Sequence, residues 1–350
     1  MGKKTIGGAV IGYGGMGNFH AKKMDEVKGI ELVGVYDIDP AQHELAKKRG
    51  YAYYDTREAL LSDPKIDLVV VATPNDVHKE IVVDALAHGK NVVCEKPVTM
   101  TSADLEEMIA AAEKYGRLFT VHQNRRWDED YLTAKKLIDS GELGRVYRIE
   151  SRIHGSRGIP EGWRGEKKHG GGMLLDWGVH SLDQMLTMMG ERKLLSVYAS
   201  VTNITNDECD DGYSCVCVFE GGVEFVSEVY TNNFIAMPRW YIMCENGSAI
   251  VKDWDCNGEV VKVVDWQKYD VAPIAAGAGI TKTMAPRTED TIKTFPVKKV
   301  KADWTAFYKN LIAHLNGEEE IVVTHDQQRR LIRLIEAIFE SAEKNEVIKF

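Results

Sequence analysis

The sequence predicts an α/β fold in two parts: a doubly wound parallel sheet, then an α+β domain with a large, mainly antiparallel open sheet. Three observations carry that expectation. Short β-branched runs alternate with amphipathic helical stretches through the first third of the chain, and a GxGxxG turn follows the first run. Past about residue 122 the alternation gives way to strands separated by glycine turns.

The elements follow in order. Ile6–Ile11 reads as a strand and Ile30–Tyr36 as the next. A helix runs from about Pro40 to Arg49, with Pro in its first turn and Gly50 at its exit. Asp67–Ala72 is nearly all apolar, as a strand covered on both faces must be. Helix Asp76–His88 leads through Gly89 to strand Asn91–Cys94, and helix Ser102–Lys114 leads through Gly116 to strand Leu118–Val121. Such alternation requires parallel strands with right-handed helical crossovers. Beyond it come helix Tyr131–Ser140, strand Arg145–Ile153, a Gly-rich loop and a Met-rich helix near Leu174–Met189. Alternating strands then run from Leu194 to Val264, among them Ser214–Glu220 and Val223–Tyr230 on either side of Gly221-Gly222. Ala272–Arg287 has little periodicity and reads as a loop. Helices at about Trp304–Asn316 and Asp326–Lys344 close the chain.

Length and charge narrow the classes. At 350 residues and 39.2 kDa, two domains are expected, divided as 1–122 and 123–350. A net charge of −9 argues against nucleic acid as a partner, since that affinity comes largely from cations that displace counterions. A mean hydropathy of −0.28 and the lack of a long unbroken apolar stretch argue against a membrane. MGKKTIGGAV carries no signal-peptide pattern, and Ile6 stands where lipidation at Gly2 would need Ser or Thr. The six cysteines form no CxxC pair, and Cys215-Val216-Cys217 alternates as strand residues do. Reduced structural thiols in a cytoplasmic protein are expected.

Four segments carry chemistry. In Gly12-Tyr13-Gly14-Gly15-Met16-Gly17, Gly12 permits a tight turn and Gly14 a close approach of backbone to a pyrophosphate. Gly17 lets helix and strand pack closely. Asp37 closes the second strand 20 residues beyond Gly17, where a carboxylate accepts ribose hydroxyls and repels a 2′-phosphate; no Arg follows, so NAD is expected over NADP. A plain tight turn with Asp37 as a helix cap is the bland alternative. Thr73-Pro74-Asn75 ends a strand in the same crevice, although Asn75 also suits a helix cap. Glu95-Lys96-Pro97 sets a lysine at a buried strand end, where it either meets a substrate hydroxyl or pairs with Glu95 at the surface. In Gly170-Gly171-Gly172-Met173-Leu174-Leu175-Asp176-Trp177-Gly178-Val179-His180, Asp176 and His180 lie four apart and would share a helix face, the carboxylate orienting a histidine base. A metal role for that pair would need further ligands such as His154 or His169 at unusual spacing, so no metal is expected.

Together, Gly12–His20, Glu95-Lys96-Pro97 and the run ending in His180 resemble the Gfo/Idh/MocA family of sugar and polyol oxidoreductases; Gln123-Asn124-Arg125-Arg126-Trp127 and Trp163-Arg164 resemble recurring family segments. The resemblance implies a Rossmann NAD-binding domain followed by an α+β domain whose open sheet builds a homo-oligomer (dimer or tetramer). It implies catalytic roles for Lys96, Asp176 and His180, with Arg126 and Trp163 also at the substrate. Cofactor contacts would come from Gly12, Gly14, Gly15, Met16, Gly17, Asp37, Thr73, Pro74, Asn75, His78 and Glu95. All seven Trp lie outside the first domain, and their faces suit sugar rings. Glu161–His169 is either a flap over the site or an ordinary loop. The expected reaction oxidises a secondary alcohol of a sugar, inositol or glycoside with NAD, His180 taking the hydroxyl proton, Lys96 stabilising the alkoxide and Asp176 either orienting His180 or holding a neighbouring hydroxyl; Lys96 and His180 are interchangeable as base at this level. Redox glycoside hydrolysis and non-catalytic sugar sensing are the competing readings.

Overall fold

Ile6–Ile11 (β1) is apolar or glycine throughout and buried at every position, so it forms the middle of a sheet covered on both faces. In the computed structural model, which describes residues 5–266 and 271–350, it is followed by α1 (Gly15–Glu26), β2 (Ile30–Tyr36), α2 (Pro40–Lys48), α3 (Arg57–Ser62) and β3 (Leu68–Val71). Then come α4 (His78–Ala87), β4 (Asn91–Cys94), α5 (Ser102–Tyr115) and β5 (Phe119–Val121). All pairs are parallel, in the order β2-β1-β3-β4-β5. Chain direction diverges between β1 and β3, and the loops after both strands open on that crevice. The helices start where the sequence supplies acceptors: Asp39, Thr56 and Thr101 each take a backbone N–H of the first turn. The reading at Gly2 lies outside the described residues.

The second part contains α6 (Glu129–Asp139), β6 (Val146–His154), α7 (Val179–Met189), β7 (Leu194–Thr202), β8 (Gly212–Phe219) and β9 (Val223–Tyr230). It continues with β10 (Trp240–Cys244), β11 (Gly247–Val251), β12 (Gly258–Val263), β13 (Ile274–Ala276), β14 (Gly279–Thr281) and β15 (Ile292–Pro296). The chain ends with α8 (Ala306–Leu315), α9 (His325–Lys344) and β16 (Ile348–Lys349). Nine strands form one sheet, β15-β12-β11-β10-β6-β9-β8-β7-β16, antiparallel except at β6/β9. Alternation sorts its faces: Tyr213, Cys215, Cys217 and Phe219 point into the core while Ser214, Val216 and Val218 do not. On the face away from the helices Arg148, Glu150, Arg152, Glu224 and Glu228 form an ionic ladder across β6 and β9. All six cysteines are buried and unpaired.

Three expectations change. Ala272–Arg287 is not all loop, for β13 and β14 pair there. The helix placed at Asp76–His88 begins one residue earlier as a 3₁₀ turn, Asn75–Val77. The helix placed at Leu174–Met189 opens with a π-helical turn, Leu174–Gly178, in which the Val179 N–H donates to the Leu174 carbonyl five residues back. The closing helices return to the first sheet: Thr120 donates to the Val323 carbonyl at 2.9 Å, and Ser102 bonds the Glu336 carboxylate through N–H and hydroxyl at 2.7 Å each.

Candidate active site

The glycine turn is built on two kinds of space. A Cβ on Gly17 would lie 1.8 Å from the Gly12 carbonyl oxygen, and one on Gly12 (φ +88°) 2.6 Å from the Ala72 carbonyl oxygen, so both are packing requirements of β1, α1 and β3. A Cβ on Gly14 or Gly15 would meet no protein atom within 4 Å. Those two face a cleft of about 1050 Å³ that runs from Tyr36, Asp37 and Ile38 past Gly12, Gly14, Gly15 and Met16 and past Thr73, Pro74 and Asn75 to Lys96, Asp176 and His180. Asp37 accepts the Tyr13 N–H at 2.6 Å on one oxygen and the Asp39 N–H at 2.8 Å on the other. Each oxygen keeps a further lone pair, enough to receive a ribose diol. The glycine edge left open to the α1 N-terminus and the carboxylate at the far end therefore fit a dinucleotide.

At the other end, the segment after β4 meets the π turn. Lys96 Nζ donates to the Asp176 carbonyl at 2.8 Å and to Asp176 Oδ1 at 3.1 Å, and Arg164 Nε lies 3.4 Å from Asp176 Oδ2. Burial pushes the Asp176 carboxyl up, but the charges of Lys96 and Arg164 prevail and hold it below the usual carboxylate range. His180 is only 5 % exposed, and its Nδ1 has no hydrogen-bond partner. Burial first, then the positive charges of Lys96 and Arg125, depress its pKa well below the ordinary imidazole value. The ring is therefore neutral near pH 7, and the residue lines the cleft.

Not every expectation for the site holds. Asp176 does not orient His180: its oxygens go to Lys96 and Arg164, because the π turn changes the angular offset that four α-helical residues would give. Arg126 is not at the substrate. It is buried in a bidentate pair with Asp183 at 2.7 and 2.6 Å and also donates to the Val322 carbonyl, while its neighbour Arg125 lines the cleft. His78 makes no cofactor contact; fully buried, its ring bridges the Thr73 and Pro97 carbonyls at 2.9 and 3.0 Å and ties the loops after β3 and β4 together. Gly17 acts through packing alone. Glu95 reaches the cleft, but its carboxylate is committed beneath it, with Oε1 2.7 Å from both His20 Nε2 and His122 Nδ1 and Oε2 accepting the Lys96 N–H. Burial pushes that carboxyl up, yet the two histidines hold it well below the usual range. These three groups come close enough to suggest a metal cluster. Contacts of 2.7 Å are hydrogen bonds, tighter than the roughly 3.3 Å between ligands sharing a tetrahedral ion. Nor do His154 and His169 join Asp176: His154 bonds Asn233, and His169 Nδ1 lies 3.0 Å from Asp76 Oδ2.

Trp163 lines the cleft. The Glu161–His169 stretch forms two 3₁₀ turns, and the Gly170 carbonyl just beyond it accepts from Asn75 Nδ2 at 3.0 Å. Sequence reasoning missed Asn124, Arg125 and Arg164 at the site. The segments containing them had been singled out, but no pattern says which of two adjacent arginines on a tight turn faces the ligand.

Comparisons with known proteins agree with this geometry. The family model described as an oxidoreductase family with an NAD-binding Rossmann fold, Gfo/Idh/MocA, matches residues 6–123, and the Gfo/Idh/MocA C-terminal domain matches residues 131–250. The chain is 30 % identical to the oxidoreductase YdgJ of Escherichia coli, over 95 % of each protein. It is 26 % identical to IolW of Bacillus subtilis, a scyllo-inositol 2-dehydrogenase (NADP(+)), over 98 % of this chain and 96 % of that one. Its 46 % identity to the oxidoreductase C115.03 of Schizosaccharomyces pombe extends over 39 % of this chain and 38 % of the relative's length. The crystal structure of an NAD-binding protein from Listeria innocua superposes with a TM-score of 0.96 at 43 % identity, covering 99 % of this chain and all of that one. With both halves of the chain matched and the glycine turn, lysine and histidine gathered in one cleft, the chain belongs to the Gfo/Idh/MocA family of oxidoreductases.

Proposed function

We propose that this chain is a dehydrogenase that oxidises a secondary alcohol on a sugar or polyol, with NAD preferred over NADP. The observation that carries the reading is the meeting of Lys96, Asp176 and His180 at one end of the cleft whose other end is the glycine edge and Asp37. Relatives named as inositol dehydrogenases act on this kind of carbon, which supports the alcohol class. IolW is named for NADP(+), so the preference for NAD rests on Asp37 alone: its carboxylate stands where a 2′-phosphate would be repelled.

Bound along the cleft, a nicotinamide cofactor would supply the hydride acceptor. The protein's part is to bind and to move a proton. Lys96, paired with the Asp176 carboxylate that Arg164 also faces, donates to the substrate oxygen and stabilises charge developing there. His180, its ring neutral and lining the cleft, accepts the hydroxyl proton. Asp176 holds Lys96 in place through its carbonyl and its carboxylate. Beneath them the Glu95 carboxylate, clamped by His20 and His122, holds the Lys96 backbone through its N–H. The open face of the nine-stranded sheet, carrying Tyr147, Tyr198 and the Arg–Glu ladder, is the surface through which we expect copies of the chain to associate in the cytoplasm.

A panel of polyols and sugars followed by NADH absorbance tests the reading. Wild-type protein should reduce NAD with at least one member. Lys96→Met should lose at least a thousandfold in kcat while binding NAD as before. Near-normal turnover of Lys96→Met would remove the lysine from the chemistry, and glycoside cleavage without net NADH would move the protein to the redox-hydrolase class.

A further inference from the structure

The substrate end of the cleft has more hydrogen-bond donors than acceptors, and the imbalance has a definite source. Its carboxylates already face donors: Lys96 and Arg164 at Asp176, and His20, His122 and the Lys96 N–H at Glu95. Its guanidinium groups have fewer partners. Arg125 spends one terminal nitrogen on Asp128 at 2.9 Å. Arg164 is held by one long contact, Nε to Asp176 Oδ2 at 3.4 Å. Each sits over an indole, Arg125 with its guanidinium carbon 4.2 Å from the Trp177 ring centre and Arg164 4.5 Å from that of Trp163. Stacking fixes the plane of a guanidinium yet leaves the N–H groups on its edge free for a ligand.

Both arginines line the same end of the cleft as Lys96, Asp176 and His180. Trp177 adjoins Asp176 in the chain and its ring centre lies 6.0 Å from that of His180; the depressed pKa of His180 owes part of its shift to Arg125. A neutral polyol can place hydroxyl protons on the lone pairs that Asp176 keeps, but it leaves the positive charge of Lys96, Arg125 and Arg164, which line this end against the single free-facing carboxylate of Asp176, unmatched. An oxyanion brings several lone pairs and no proton, and a planar fork matches it two bonds at a time.

We infer that the substrate carries an oxyanion, a carboxylate or a phosphoryl group, on the same molecule as the alcohol, and that Arg125 and Arg164 bind it. The inference rests on the dehydrogenase reading only in taking this end of the cleft as the substrate subsite. Arg125 and Arg164 are thus specificity residues, distinct from the groups that move the proton.

Calorimetric titration of the full-length, NAD-loaded protein tests it directly, with D-glucose and myo-inositol as neutral probes, D-gluconate and D-glucuronate as carboxylates and D-glucose 6-phosphate as the phosphoryl probe; initial rates are read on the same panel. At least one acidic probe should bind tenfold or more tighter than every neutral one, and which of the two acidic kinds binds identifies the oxyanion. Arg164→Gln, at a half-exposed position, should erase about tenfold or more of that preference and leave the Kd for NAD within twofold, and Arg125→Lys should do the same where a planar fork is needed. Equal affinity for neutral and acidic probes would overturn the inference, as would a loss confined to NAD binding, which would assign the arginines to the cofactor. The two readings fail separately: acidic probes that bind but are never oxidised would sink the dehydrogenase and keep the oxyanion site, whereas neutral polyols bound and oxidised as well as the acidic probes would keep the dehydrogenase and sink the oxyanion site.

Discussion

Asp210 anchors the π turn that carries the catalytic segment, and it should make the protein's stability fall as pH rises. Its Oδ2 accepts the Leu174 N–H at 2.7 Å, its carbonyl accepts the Met173 N–H at 2.9 Å, and a Cβ on Gly172 would lie 2.3 Å from its Oδ1. The side chain is 7 % exposed, and burial, against the pull of those backbone N–H groups, pushes its pKa from 3.8 up to about 7. The folded protein therefore keeps a proton there that the unfolded chain has already released. This contribution is fully present below about pH 4 and is lost as pH climbs through about 7, at 1.36 kcal/mol per unit over roughly three units, or about 4 kcal/mol in all. Asp210→Asn reproduces the protonated carboxyl, one acceptor for Leu174 and one donor, and cannot ionise. Relative to wild type, the variant should gain about 2 kcal/mol more stability at pH 9 than at pH 5.5. Paired thermal unfolding of the two proteins from pH 5 to pH 9 reads the difference directly, because every other titrating group cancels between them. A difference that stays constant across that range would mean that Asp210 is ionised throughout and that burial is not what governs it.

Other perturbations separate packing from chemistry. Gly14→Ala should leave the melting temperature unchanged, since its Cβ meets no protein atom, yet weaken NAD binding at least tenfold by filling the cradle; Gly17→Ala should also lower stability by about 1–3 kcal/mol, because its Cβ is driven into the Gly12 carbonyl. Equal effects of the two on stability would contradict the distinction. Arg126→Met, which leaves Asp183 buried without its partner, should cost about 3–5 kcal/mol in unfolding measurements; a loss below 1 kcal/mol would show the pair to be dispensable. Asp37→Ser should raise the NADP-to-NAD ratio of kcat/KM about tenfold or more, and an unchanged ratio would remove Asp37 from cofactor choice.

Much of the first domain was legible because its signals are local. The strands of the first sheet are covered on both faces, so Ile6–Ile11 and Leu68–Val71 read as unbroken apolar runs, and their turns and helix starts are marked by Gly, Pro, Asp and Thr. The six residues of α3 escaped notice because less than two turns of helix display no period, although Thr56 caps it. At the site, the glycine turn, Asp37, Lys96 and His180 could be chosen from motifs, since each sits at the end of an element whose type the sequence declares.

Which groups then touch was settled by the assembled fold. Four-residue spacing pointed Asp176 at His180, but the π turn sends its carboxylate to Lys96, 80 positions earlier in the chain. Arg125 and Arg126 are chemically alike and adjacent; a partner at Asp183, on a helix 57 residues away, buries one and leaves the other to the cleft. His20, Glu95 and His122 likewise share one carboxylate from three separate elements. Backbone preference and burial pattern act between near neighbours and are written residue by residue, so the order of strands and the glycine turn are determined by sequence alone. Hydrogen bonding and charge act between whatever groups the packing brings within 3 Å, so the partner of each polar side chain was decided only by the tertiary structure.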